Sequence, residues 1–299
     1  MTVQYCLYDV KATSTRLIIK KNEYDELVNA KSKLQAFLYI EEKLNIVLEN
    51  YLELEQELLN ISFSNLVTPF TNIKWEQYVN EIHKINRRII NLLTTTRMYL
   101  DHIGHDIKQI SNKIDIEVML KKLKSEEYDS KLGYRVMEAL RNYVQHRGLP
   151  IHVISHKQSN DGEGRIKHVI MPVIRVADLE SDGNFKKSVL NELKKQGERV
   201  DVRQFIREYI QSFYLFQKFI RDIFNEEVLS YVDVFNNYYS LYESKYGKAE
   251  SLVVSELIHD EFHTNRVHII FDIVKRRNWL ENKNNVDKDL TRNFVSGEL

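Results

Sequence analysis

Nine glycines and three prolines in 299 residues leave this chain few places to turn. These two residue types break helices and shape tight turns, so their scarcity favours long uninterrupted helices over a turn-rich β fold. The helical spacing agrees. From Asn22, an N-cap with Asp25 three residues on, apolar residues recur at Leu27, Ala30, Leu34, Leu38, Leu44, Val47, Leu48 and Tyr51, which predicts a helix to about residue 60. A second helix is expected from Pro69 to about Ile110. A third is expected from near Ser125 to Gly148 and Pro150, which end it. Helices follow at about 184–196, 205–246 and 249–281. The span Phe205–Tyr246 carries thirteen of the thirty Phe and Tyr residues, spread all round the helix, as in a central core element.

Two places read differently. "VQYCLYDV" and "TRLIIK" near the start are short β-like runs. "PIHVISH" and "GRIKHVIMPVIRV" alternate in character around the turn "SNDGEG", which predicts a β-hairpin over 151–176. The expected fold class is therefore mainly α. It is a long-helix bundle forming one domain over 1–299, with a β-hairpin insertion at 151–176. A small N-terminal β pair could join that hairpin in one sheet, and residues 283–299 form a polar C-terminal tail.

Charge and cysteine content narrow the function. Lys plus Arg equal Asp plus Glu at 43 each, so any attraction to nucleic acid must be local. Cys6 is the single cysteine, which excludes an intrachain disulfide and a Cys-based zinc site. Asp9 and Lys11 interrupt the only early apolar run, and no stretch of about 18 apolar residues exists. The expectation is a cytoplasmic protein with no membrane partner. No P-loop, G-x-S-x-G or dinucleotide fingerprint is present.

Within this neutral chain, residues 131–175 hold eight Lys or Arg against three acids, together with four His. That local excess suits a phosphate backbone. At its centre stands "LRNYVQHRGLP", 140–150. The chemistry of metal-free RNA cleavage needs these residue types. The 2′-hydroxyl attacks the adjacent phosphate, which calls for a proton carrier and a fixed cation. His146 offers an imidazole for proton transfer, Arg141 a planar guanidinium for phosphate oxygens, and Asn142 a carboxamide to position either. Arg135, Arg147, Lys157, Arg165 and Lys167 are the candidate RNA-binding cations around them. On a regular helix Arg141 and His146 stand about 140° apart, whereas Asn142 and His146 share a side. Either the last turn unwinds or two chains combine.

Arg141-Asn142-x-x-x-His146 resembles the R-x4-6-H motif of the HEPN superfamily, over about a dozen residues. Arg97 with His102 and Arg147 with His152 match the bare spacing too. Only Arg141 has both a polar residue directly after it and a helical setting. The resemblance implies a helical bundle and a homodimer whose two motifs face one cleft. It further implies metal-independent endoribonuclease activity with no cofactor, in bacterial phage defence or a toxin-type system with a partner protein. The alternative is a non-catalytic helical binding or scaffold module, or a subunit of a larger assembly.

Other motifs carry less. Asp101, His102, His105 and Asp106 read as a polar helix face. His259 and His263 have helical i,i+4 spacing, but Asp260 stands where a zinc protease has its Glu, so no metal is assigned. Arg97, in an otherwise apolar helix, reads as one half of a buried or interface ion pair, and "VKRRNW", 274–279, as a basic helix end.

Overall fold

The computed structural model describes residues 3–67, 74–111, 114–160, 162–164, 166–258, 262–285 and 289–292. The elements run β1 (Val3–Asp9), β2 (Ala12–Ile19), α1 (Lys21–Val67), α2 (Trp75–Ile110), α3 (Ile114–Ser130), α4 (Leu132–His146), β3 (Val153–Asn160), β4 (Ile166–Arg175), α5 (Val176–Ser181), α6 (Lys187–Gln196), β5 (Arg199–Asp201), α7 (Arg203–Tyr246), β6 (Leu252–Ile258), β7 (Phe262–Ile269) and α8 (Asp272–Lys283). Helix accounts for 68% of the chain, and the strands form two small antiparallel sheets. The mainly-α class expected from the scarcity of Gly and Pro is therefore observed. The packing divides the chain into two compact units, where the sequence reads as one domain.

The first unit comprises Met1–Glu42, Ile103–Lys113 and Phe219–Asn285. Its sheet has the order β2-β1-β6-β7. Cys6 faces Ser255 across β1 and β6, and Leu257 faces His263 across β6 and β7. Alternation places Leu7, Leu17, Ile19, Leu252 and Val254 on one face, all buried. The α1 and α7 segments of this unit join through a bidentate ion pair, Arg221 to Glu41 at 2.8 and 2.6 Å, and an edge contact of Phe37 with Phe224. This sheet corrects two expectations. The predicted helix at 249–281 is instead β6, β7 and α8, and the N-terminal pair joins β6 rather than the 151–176 hairpin. The run "LVVSELI" satisfies β pairing with β1, a partner some 250 residues earlier that local periodicity cannot reveal.

The second unit comprises Lys43–His102, Ile114–Lys218 and Val286–Leu299. Tyr99, Tyr134, Tyr209, Phe213 and Phe216 stack edge to face at its centre, as the aromatic load of the 205–246 helix leads one to expect. Where one helix is expected from near Ser125, the chain makes α3 and α4, broken at Lys131 in an extended conformation (φ −114°, ψ 117°). The cause is tertiary. The Gly133 N–H donates to Glu208 Oε2 at 2.9 Å, and a Cβ there would lie 2.8 Å from the Phe205 carbonyl oxygen, so α4 starts only where a glycine lets it meet α7.

The hairpin β3–β4 forms as expected and gains β5 as a third strand, in the order β3-β4-β5. In the polar tail, Leu290 N–H donates to Gln211 Oε1 at 3.0 Å. Pro69 and the tail beyond Arg292 lie outside the described residues.

Candidate functional site

Helix α4 is amphipathic. Tyr134, Val136, Met137, Ala139 and Leu140 are buried, which turns the polar residues of its last turns outward. The end is firmly fixed. Arg147 N–H donates to the Tyr143 carbonyl at 2.8 Å, and Gly148 lies against the Tyr143 ring, where a Cβ would come within 2.8 Å of the hydroxyl. Asn86 then clamps the backbone of Ile151, donating to its carbonyl at 3.0 Å and accepting from its N–H at 2.8 Å. The chain therefore leaves α4 in one direction, into β3.

On this fixed end Asn142, Gln145, His146 and Arg147 are exposed, and Arg141 is half-buried. Arg141 Nη1 donates to Gln145 Oε1 at 3.1 Å, whereas its Nε–H is buried with no hydrogen-bond partner. Among the described residues no carboxylate pairs with this guanidinium. That is unusual, because a buried N–H left unpaired costs about 1–3 kcal/mol. The helix stays regular through His146, so the last turn does not unwind to bring Arg141 and His146 together within one chain.

A second polar group surrounds Lys124 of α3. Its Nζ donates to the Leu100 carbonyl at 3.3 Å, and Arg97 pairs with Asp101 at 2.7 Å on α2. Burial pushes the Lys124 amine down to about 8, against the opposing charges of Asp101 and Glu138. Glu138 itself accepts from the Tyr209 hydroxyl at 2.5 Å. Arg97 thus forms an ion pair, but an exposed one within α2 rather than the buried or interface pair expected of it.

The remaining sequence-derived cations separate. Arg135 is committed to structure. It reaches Glu192 of α6 at 2.8 Å and donates to the Tyr128 and Asp129 carbonyls at 2.8 and 2.7 Å, neutralising the C-terminus of α3 as a cation does at a helix end. This corrects its reading as an RNA-binding residue. Lys157 and Lys167 are exposed on the hairpin. Arg165 lies outside the described residues, as do His259, Asp260 and Glu261.

Of the other histidines in this stretch, His152 is half-buried, and its Nδ1 accepts from the Arg175 N–H at 3.3 Å. His156 is nearly sealed beside Glu81, at 4.0 Å. Burial pushes His156 down to about 4 and Glu81 up, so the pair is held toward its neutral forms despite being close enough to attract. Local sequence patterns cannot reveal this pair, because Glu81 sits on α2, 75 positions before His156.

A cavity of about 840 Å³ adjoins this pair, lined by Glu57, Asn60, Gln77, Glu81, Lys84 and Arg87 among others. None of its lining residues belongs to α4. Among the described residues no group of three or more His, Cys, Asp or Glu is placed to share a metal ion, and no helix is long and apolar enough to cross a membrane. His263 belongs instead to the first unit, where its Nδ1 meets Ser255 Oγ at 2.7 Å and Cys6 Sγ at 3.8 Å. No protein-family model, curated protein or solved structure matches the chain.

Proposed function

We propose that this chain is a HEPN-like, metal-independent endoribonuclease, working as a homodimer in the cytoplasm within a toxin-type or anti-phage system. The observation that carries the reading is the Arg141 guanidinium. It is half-buried, paired with no acid among the described residues and left with an unsatisfied N–H, and it stands on the helix end that exposes Asn142 and His146. A phosphate oxygen satisfies a guanidinium in this state. The reaction needs no group from outside the protein. The RNA 2′-hydroxyl loses its proton to a base and attacks phosphorus, the P–O5′ bond breaks, and the leaving oxygen takes a proton. The products are a 2′,3′-cyclic phosphate and a 5′-hydroxyl. His146 moves a proton, Arg141 bears the charge on phosphorus and Asn142 positions the reacting group.

Because α4 stays regular, one chain spreads these groups around its circumference. A second copy across a twofold axis completes the set. The test is incubation with RNA in EDTA, comparing wild type with Arg141→Ala and His146→Ala and assaying for cyclic phosphate ends. Loss in both variants is expected, by at least about 100-fold for His146→Ala. Equal cleavage by all three overturns the proposal.

A non-catalytic helical binding module is the second reading. It is favoured by the zero net charge and by the structural commitment of Arg135. It predicts RNA binding or none, with no cyclic phosphate product.

A further inference from the structure

The sheet β3-β4-β5 turns two unlike faces outward from its pleat. Ile154, Ile170, Ile174 and Val200 are buried on one, with the His156 side chain beside Glu81. The register places Val153, Ser155, Lys157 and Ser159 of β3, Lys167, Val169, Met171, Val173 and Arg175 of β4, and Arg199 and Asp201 of β5 together on the other, where Val173 is buried and Asp201 is paired with Arg203 at 2.6 Å. There Lys157, Ser159, Lys167, Arg175 and Arg199 are exposed.

Two details mark this face as more than a solvated surface. Arg175 and Arg199 are direct cross-strand partners, an arrangement that like charges disfavour, since facing side chains lie about 5 Å apart. Asp178 neutralises Arg175 at 2.7 Å. Arg199 has only the Ser155 hydroxyl, at 3.4 Å, and no carboxylate among the described residues. At the other end Lys157 and Lys167 are diagonal neighbours, one register step apart. Cations therefore stand at both ends of one strand face, separated by about 27 Å along β4. Ser155, half-buried Val169 and Met171, and buried Val173 lie between them.

We propose that this face is the RNA track: it holds single-stranded RNA by its phosphates and sugars, without reading sequence. The inference rests on the ribonuclease reading and names how substrate is held. The chemistry selects the ligand. Cations at both ends of a face that shows no exposed aromatic ring among its described residues bind a repeating backbone anion and offer no platform for stacking bases, and the Asp201 carboxylate on this face is already neutralised by Arg203. Binding is then sequence-tolerant and steeply salt-dependent, with log affinity falling by about 0.7 per phosphate neutralised for each decade of salt.

The experiment uses the full chain carrying His146→Ala, so that RNA is bound but not cut. Fluorescently labelled single-stranded RNAs of two unrelated sequences are titrated at several salt concentrations. Adding Lys157→Gln and Arg199→Gln is expected to weaken binding at least tenfold and to reduce the salt slope by about 1.4. Lys187→Gln, on exposed α6, leaves both unchanged, and Lys157→Arg with Arg199→Lys restores them. Unchanged affinity and slope in the double Gln variant overturn the track, as does binding of only one of the two RNAs. These outcomes are independent of the cleavage assay. Metal-free cutting by the wild type can stand while the track fails, and the track can stand if the wild type cuts nothing.

Discussion

The β1–β6–β7 face holds a thiol, a hydroxyl and an imidazole within 3.8 Å of one another, whereas the end of α4 holds a guanidinium, a carboxamide and an imidazole spread around a helix. Proximity favours the first set and accessibility the second. Cys6 and Ser255 are both 0% exposed. Burial pushes the Cys6 thiol up, and it pushes His263 down, with Arg16 and Arg266 adding to the second effect. Both groups are thereby held neutral, while a nucleophilic cysteine requires the thiolate. The Tyr8 ring lies 4.5 Å from the His263 ring and helps to close the site. The cluster satisfies most of its own polar atoms, His263 Nε2 being the exception, and its thiol and hydroxyl are closed to solvent, which makes it a packing solution. An exposed set with an unsatisfied donor is a place where something else can bind.

Mixing two inactive variants breaks the comparison most sharply. If Arg141 and His146 act across a twofold interface, Arg141→Ala and His146→Ala homodimers each lose activity by at least about 100-fold. Subunit exchange in a 1:1 mixture then yields heterodimers that retain one intact Arg and one intact His facing each other, and cleavage recovers to at least about a quarter of wild type. No recovery after proven exchange would place all the chemistry within one chain, or elsewhere.

The His156–Glu81 pair sharpens the same contrast inside the second unit, because its side chains too are largely buried. The folded state holds His156 near 4, below the value near 6.5 of an unfolded chain. Between those values the unfolded state binds more protons, so stability falls as pH drops from about 6.5 to 4, by up to about 3 kcal/mol. Glu81 is shifted the other way. Its raised value makes stability fall as pH rises above about 4.5, partly masking the histidine. Urea midpoints from pH 4 to 8 are expected to show a shallower acid limb in His156→Gln and a steeper one in Glu81→Gln. An unchanged limb in both would mean that water reaches the pair.

These cases show what the sequence could and could not reveal. Helices α1, α2 and α7 were legible because their periodicity is local and few Gly or Pro interrupt it. The β3–β4 hairpin was legible because alternation and turn lie within 26 residues. Strands β6 and β7 were not, since a short apolar run fits either period and its partner β1 is remote. At the site, the exposure of Asn142 and His146 follows from the amphipathic pattern of α4. The fate of Arg135 does not: its partner Glu192 lies 57 positions on, and only the packing of α6 on α4 brings them together. Arg199 was missed for the same reason, because its meaning depends on facing Arg175.

Ser255→Ala tests the sealed side. The substitution removes the hydroxyl that both Cys6 and His263 contact and leaves His263 Nδ1 without its 2.7 Å partner. Stability is expected to fall by about 1–3 kcal/mol, read as a lower urea midpoint. RNA cleavage by the folded fraction is expected to be unchanged. A variant of full stability with lost cleavage would instead move the chemistry onto the sheet.

The smallest effect tests whether the missing acid beside Arg141 matters. Gln145 lies one turn after Arg141 and holds Nη1 as a neutral acceptor at 3.1 Å. Gln145→Glu keeps the shape and supplies a carboxylate at i+4. An exposed pair of this kind stabilises a helix by only about 0.3–0.5 kcal/mol, so the melting temperature should barely move. The carboxylate nevertheless competes with phosphate for one guanidinium and repels the RNA backbone. The expected outcome is a rise of about two- to fivefold in KM with kcat nearly constant, diminishing at high salt as the repulsion is screened. A drop in kcat at constant KM would show that Gln145 acts in the transition state, while no change at all would mean that Arg141 does not meet the substrate.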